Sequence, residues 1–465
     1  MSDFAAHRGC RLRVYLYEEH VSSLQRQLRG VTGNFFGWAN SCERHRICAA
    51  NLSHSASSDN ASCLEKQCTY STFTYANTYT FTTDVPIYKR LVSACPLTKD
   101  PAAADVFLVP YSFGTMMTLL WGLKAASDHN LRHFRNHLDV SALKQEHRWM
   151  MDAAISIPKN LPHFNESTAA RHVFLFSVDN DFLNLHLNPL MSRAILVHLG
   201  DDALLSRRTD TSYRRKDVTP LINGLVVPYR ISQWLPFGFP APHVTRTRRY
   251  LVSMNVNYKK AHVRSLLAIA VRAQAEELAV PKSQVLMSSK MMEPMEASDV
   301  QLNSTFCLCP TGDSKGFTAR FYTALIHGCI PVRVDGYERN TTAGPVAYPF
   351  ASLLDWQQMV IDIPLYRANA SLVEELLAIP EERRRAMQHY IRSKAHWLVT
   401  DFAAHAHHDA AQAVVIELEQ RFNVRPAIGT VVAGRQFGRN VSQWAPRTTL
   451  LHPLPKVTAP PMTLG

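Results

Sequence analysis

Apolar residues follow two rhythms along this chain. The first is a short, nearly continuous run, seen at Leu12–Tyr17, Val106–Pro110, Val173–Phe176 and Ile195–Leu199. The second is a helical spacing between those runs, as over Ser141–Ile155. Strands that alternate with amphipathic helices predict a parallel sheet. The segment Trp234–Pro242 is rich in Pro and Gly and reads as a linker. Both rhythms then resume, with strands predicted over Tyr250–Met254, Phe306–Cys309 and Cys329–Val334. Helices are predicted over Ala261–Leu278, Thr318–His327, Leu372–Leu377, Glu381–Leu398 and Phe402–Phe422. The run from Glu381 to Arg385 is acidic first and basic after, as the helix dipole favours. At 465 residues the chain is too long for one ordinary core. The expectation is an α/β protein of two domains, 1–235 with a cysteine-rich insert at 42–68, and 243–422. A basic, Pro-containing tail at 423–465 has no strong period.

Residues 304–336 carry the densest signal. A strand leads into a Pro/Gly/Ser loop, a helix with Phe321, Ala324, Leu325 and Gly328 on one face, and a second strand. Gly328 stands where a helix C-terminus takes positive φ. The loop brings Gly312, Ser314, Gly316 and Thr318 to the helix start, with Arg320 in its first turn. Free N–H groups, the helix dipole and a guanidinium there make a ready site for a diphosphate. Each feature also has a plainer explanation. Arg320 fits the solvent face of an amphipathic helix, and Gly312, Ser314 and Thr318 fit a turn followed by an N-cap. Arg264, one helix turn beyond the Asn255 loop, is a candidate second cation.

The motifs in this segment resemble the exostosin family of glycosyltransferases, family 47. They are Phe306-Cys307-Leu308, Pro310, Gly312, Arg320, Ala324-Leu325 and Gly328-Cys329-Ile330-Pro331-Val332, followed by Asp335, Tyr337, Pro349-Phe350 and Trp356. Weaker likeness runs from about residue 10 to 400, through Val14–Tyr17, Asp100–Tyr111, His172–Phe176, Lys216–Val218, Val226–Tyr229 and Leu251–Asn255 with Arg264. Met254 stands where the family usually has glycine, and Val178 where many members have histidine before the Asp.

The resemblance implies two Rossmann-like, doubly wound domains facing across a cleft, the GT-B arrangement. It implies an inverting transfer of sugar from a nucleotide diphosphate, a UDP-sugar, to a glycan hydroxyl. The donor would be held by Arg320, Gly312, Asp313, Ser314, Thr318, Asn255 and Arg264. Asp179 is the candidate general base, and a helix N-cap is its plainer role. Asp179-Asn180-Asp181 spells a metal-binding D-x-D, but the class resembled uses cations in place of metal. Neither metal nor cofactor is expected. His405, His407 and His408 read as a solvated helix face. The alternative function is a catalytically inactive relative that binds glycan or scaffolds a partner. A cytosolic nucleotide-binding protein is a third reading.

Composition narrows the setting. Hydrophobic residues make up 46% and charged residues 19%, so the bulk is globular, and the net charge of +12 suits an anionic partner. A nucleotide diphosphate, an acidic glycan and an anionic membrane surface all qualify, whereas the basic residues are scattered and no nucleic-acid motif accompanies them. The resemblance implies a nucleotide-sugar donor and a glycan or glycoprotein acceptor, with a membrane reached only through an anchor not present in this chain. Homo- or hetero-oligomers are open. Cys42, Cys48, Cys63 and Cys68 suit two disulfides better than zinc, and Cys10 can pair with Cys95. Cys307, Cys309 and Cys329 read as small core hydrophobes. Sequons begin at Asn51, Asn60, Asn165, Asn303, Asn340, Asn369 and Asn440, which favours an oxidising lumen. No apolar run is long enough to span a bilayer, and the first ten residues contain no signal-like apolar core. The family resemblance implies the Golgi lumen, as a type II membrane protein, and the expectation is that its anchor is missing from this chain.

Overall fold

The structure is a computed structural model that describes residues 10–18, 83–111, 160–177, 190–191, 193–199, 224–231, 248–256, 262–290, 292, 294–310, 318–335, 348–399 and 409–424. Two sheets, every strand parallel to its neighbours, dominate it. The first contains β1 (Val14–Leu16), β2 (Leu97–Thr98), β3 (Val106–Val109), β4 (His172–Phe176), β5 (Ile195–His198) and β6 (Gly224–Val226), in the order β2-β1-β3-β4-β5-β6. The second contains β7 (Tyr250–Asn255), β8 (Val285–Ser288), β9 (Ser304–Pro310), β10 (Ile330–Asp335) and β11 (Ile361–Pro364), in the order β11-β10-β9-β7-β8. In each sheet the first strand lies between the second and the third. The α/β class and paired parallel sheets are as expected.

The apolar runs work because both faces of a parallel sheet are covered. In the first sheet, alternation sorts two kinds of side chain. Val14, Val106, Leu108, Val173, Leu175, Ile195 and Val197 form an aliphatic face that shares a core with Ile87 and Leu91. Those two residues belong to α1 (Asp84–Ala94). The other face is aromatic. Phe107 stacks on His172 at 4.6 Å, Tyr15 lies 5.2 Å from Tyr17, and Phe174 stacks on Phe176 at 5.9 Å. His172 is fully buried; Tyr17 Oη lies 2.9 Å from its Nε2, and its Nδ1 faces the Thr168 carbonyl at 2.9 Å. Burial pushes its pKa down to about 4.

Helices α2 (His262–Glu277) and α5 (Leu365–Ala378) pack together beside the second sheet. Ser371 breaks α5 with φ −150° and ψ 17°, which strands backbone groups on either side. Gln274 repairs the break. Its amide donates to the carbonyls of Ala368 at 3.0 Å and Asn369 at 2.9 Å, and accepts from the Val373 N–H at 2.9 Å. Helices α3 (Pro294–Leu302), α4 (Ala319–Ile326) and α6 (Glu381–Lys394) complete this part, and α6 passes into a 3-10 turn at Ala395–Leu398. Gly328 ends α4 with φ 65°, as its position predicts.

The final helix, α7, spans Ala410–Arg421 and starts later than the predicted Phe402, because Asp409 caps it by accepting from the Gln412 N–H at 2.8 Å. It lies against α1. Asp409 pairs with Arg90 at 3.3 Å, and Glu419 accepts from the Arg11 N–H at 2.7 Å. Cys10 and Cys95 are disulfide-bonded, as their positions allow. Cys307 and Cys329 are also bonded, which corrects their reading as plain core residues; buried Cys309 stays free. Among the described residues no helix is long and apolar enough to cross a membrane.

Candidate functional site

In open parallel sheets, ligands settle beyond the carboxyl ends of the strands where strand order reverses. In the second sheet that point lies between β7 and β9. The strands end there at Asn255 and Pro310, and the helices that follow them, α2 and α4, start with Arg264 and Arg320 in their first turns.

Arg320 is the most telling residue of this edge. It is only partly exposed, and its guanidinium makes no hydrogen bond or ion pair with any described residue. Burial lowers its pKa to about 10; the neighbouring Cys309 pulls it up and Arg264 pushes it down further. Arg264, in the first turn of α2 on the same strand-end edge, is itself 7% exposed. Cys309, at the end of β9, is buried enough for its thiol to be pushed up to about 12, despite the pull of Arg320. Thr318 precedes α4 with extended φ −106° and ψ 159°, but its hydroxyl does not cap the helix. Thr318 Oγ1 is buried with no hydrogen-bond partner among the described residues. Two guanidinium groups and an unused hydroxyl at a helix N-terminus can receive an anion with several acceptor oxygens.

Arg320, Thr318, Asn255 and Arg264 thus share one edge. Gly312, Asp313, Ser314 and Asp179 lie outside the described residues, as do Val178, Asn180, Asp181, the cysteines at 42–68 and His405, His407 and His408. Met254 packs in the core at 1% exposure.

Three supports of this edge are not visible in the motifs. Arg248 donates to the carbonyls of Gln301 at 3.1 Å, Ser304 at 2.5 Å and Gly328 at 2.8 Å, so it fixes the far end of α4 with a cation where the dipole wants one. The Cys307–Cys329 disulfide closes a ring, with a sequence separation of 22, around the loop and α4. Tyr322 in α4 touches Tyr229, beyond β6, with ring centroids 6.0 Å apart, and so ties α4 to the first sheet's side. Cys307, Cys329 and Tyr229 stand in the family-like segments, but nothing in those segments tells which residues they meet, and Arg248 lies in none of them.

Fold and site together define an α/β protein of two parallel sheets with a cationic strand-end site. The described architecture agrees with what the family match reports: the exostosin GT47 domain matches residues 10–378. The chain belongs to the exostosin GT47 family of glycosyltransferases. It is also similar to an Arabidopsis thaliana protein named "Probable glycosyltransferase At5g03795", with 24% identity over 286 residues, which is 57% of this chain. That match spans 44% of the length of the relative. Among solved structures, a glycosyltransferase of Rickettsia africae matches 74% of this chain and 93% of its own at a TM-score of 0.31 and 7% identity. A glycotransferase of kitacinnamycin matches 88% of this chain and 99% of its own at 0.27 and 11%. Similarity at that level defines no site.

Proposed function

We propose that this protein is an inverting glycosyltransferase that moves a sugar from a UDP-sugar to a hydroxyl of a glycan or glycoprotein in the Golgi lumen. The observation that carries the reading is Arg320, a partly buried cation without a partner among the described residues, on the same edge of the strand-order switch as Arg264. In the transfer, the bond from the anomeric carbon to the diphosphate breaks and the nucleotide leaves with added negative charge. Arg320 and Arg264 stabilise that charge, and the dipole of α4 and the Thr318 hydroxyl add to it. Asn255, Gly312, Asp313 and Ser314 complete the donor site. Asp179 takes the proton of the acceptor hydroxyl as its oxygen attacks from the opposite side, which inverts the anomeric centre. Residues 1–235 form the acceptor side and 243–422 the donor side.

The test is UDP release over a panel of UDP-sugars. Wild type is expected to turn over at least one donor, and Arg320→Ala to be on the order of 100-fold slower. Glycan binding without turnover of any donor would sink the enzyme reading.

A further inference from the structure

The sequons are not equivalent once folded. Asn165 lies in an exposed turn before β4, at the edge of the first sheet away from the strands' carboxyl ends. Its side-chain oxygen accepts from the Ser167 N–H at 3.0 Å and from the Ser167 hydroxyl at 2.6 Å. The Thr168 hydroxyl lies 3.2 Å from the same oxygen but gives its single proton to the His163 carbonyl and accepts from the Asn165 N–H at 3.2 Å. A backbone N–H can only donate, so this atom is the amide oxygen and the other is Nδ2. Nδ2 makes no hydrogen bond with any described residue. The turn is closed by its own backbone, with the Asn165 carbonyl accepting from Thr168 at 3.2 Å and Ala169 at 2.8 Å. It therefore needs no distant part of the fold to form.

Asn303 has the opposite arrangement. Its Nδ2 donates to Asp299 O at 2.9 Å and Asp299 Oδ1 at 3.0 Å, and Ser304 and Thr305 are already in β9. At Asn369 the sequon hydroxyl of Ser371 turns to Glu375 Oε1 at 2.8 Å, away from the asparagine.

We propose that Asn165 carries an N-linked glycan. The hydroxyl of Ser167 polarises the amide, and Nδ2 attacks the anomeric carbon of an oligosaccharide linked to a polyprenyl diphosphate. The new bond is Nδ2 to that carbon, the bond broken is from the carbon to the diphosphate oxygen, and the amide proton passes to the transferring enzyme. The lipid diphosphate leaves, and nothing is oxidised. The inference rests on the lumenal location proposed above.

The full chain is expressed in eukaryotic cells behind a cleavable secretory leader, treated with an N-glycanase in heavy-oxygen water and mapped by peptide mass. Asn165 is expected as isotope-labelled Asp in most molecules and Asn303 as unlabelled Asn. Ser167→Ala removes the label at Asn165, and Ser167→Thr keeps it. Secreted protein with its Cys10–Cys95 bond intact and Asn165 unlabelled would overturn the assignment, as would labelling at Asn303 in preference to Asn165. The leader imposes the compartment, so this result judges the site alone. Reduced, unglycosylated protein in its native cells would instead overturn the lumenal reading.

Discussion

A guanidinium in the first turn of α4 stands at the positive end of the helix dipole, where burial lowers its pKa to about 10 and the charge of Arg264 pushes the same way. All three effects oppose the charge until an anion arrives. Arg320→Ala is therefore expected to raise the melting point of the ligand-free protein, by roughly 1 kcal/mol of stability, and, on the function proposed above, to abolish the rise expected of wild type with UDP. Differential scanning fluorimetry with and without UDP reads both; a destabilised ligand-free variant would refute the strain. Two buried histidines make a second prediction. Burial pushes His172 and His327 down to about 4, whereas an unfolded imidazole takes its proton near 6.5. Between those values the unfolded chain binds more protons. Their contribution is thus complete above about pH 6.5 and is lost as pH falls toward 4, by about 2 kcal/mol per ring at pH 5. Urea titrations at neutral pH and pH 5 measure the loss, and His327→Gln should flatten it if the fold tolerates the change. Arg320 was legible because motif order marks it. The Cys307–Cys329 bond was not, because pairing depends on which strands become neighbours.

At the scale of elements, the strands buried on both faces were legible within a few residues. Those at the margins were not. β2 has two residues, and β8 and β11 are edge strands whose residues are mostly only partly buried, so they lack the long apolar run that announces a central strand. Helix α1 hides behind Pro86, which a first turn tolerates. The break in α5 is likewise silent in sequence, since the residue that repairs it lies in α2. Gln274→Ala leaves the buried Ala368 carbonyl, the part-buried Asn369 carbonyl and the buried Val373 N–H without this partner. It is expected to cost about 2 kcal/mol, and to raise hydrogen exchange at Val373 more than elsewhere in α5. Uniform exchange along the helix would count against the repair.

At the scale of the molecule, the α/β class was legible because the alternation of runs and helices extends through both halves. The return of the chain to its start was not, because α7 reads as one more amphipathic helix of the second half. A chain ending at Val399 takes Asp409 away from Arg90 and Glu419 away from the Arg11 N–H. It is expected to lose exchange protection in β1 and β3, while a chain ending at Val424 keeps it; equal protection in the two would deny α7 its role. Biosynthesis feels the same arrangement. Glu419 meets Arg11 across 408 positions, which at 5–20 residues per second corresponds to roughly 20–80 s of translation. Once α1 and the first sheet have emerged, the face of α1 that meets α7 stays without that cover until α7 is made. That face of α1 waits for the last helix of the second half before it is buried.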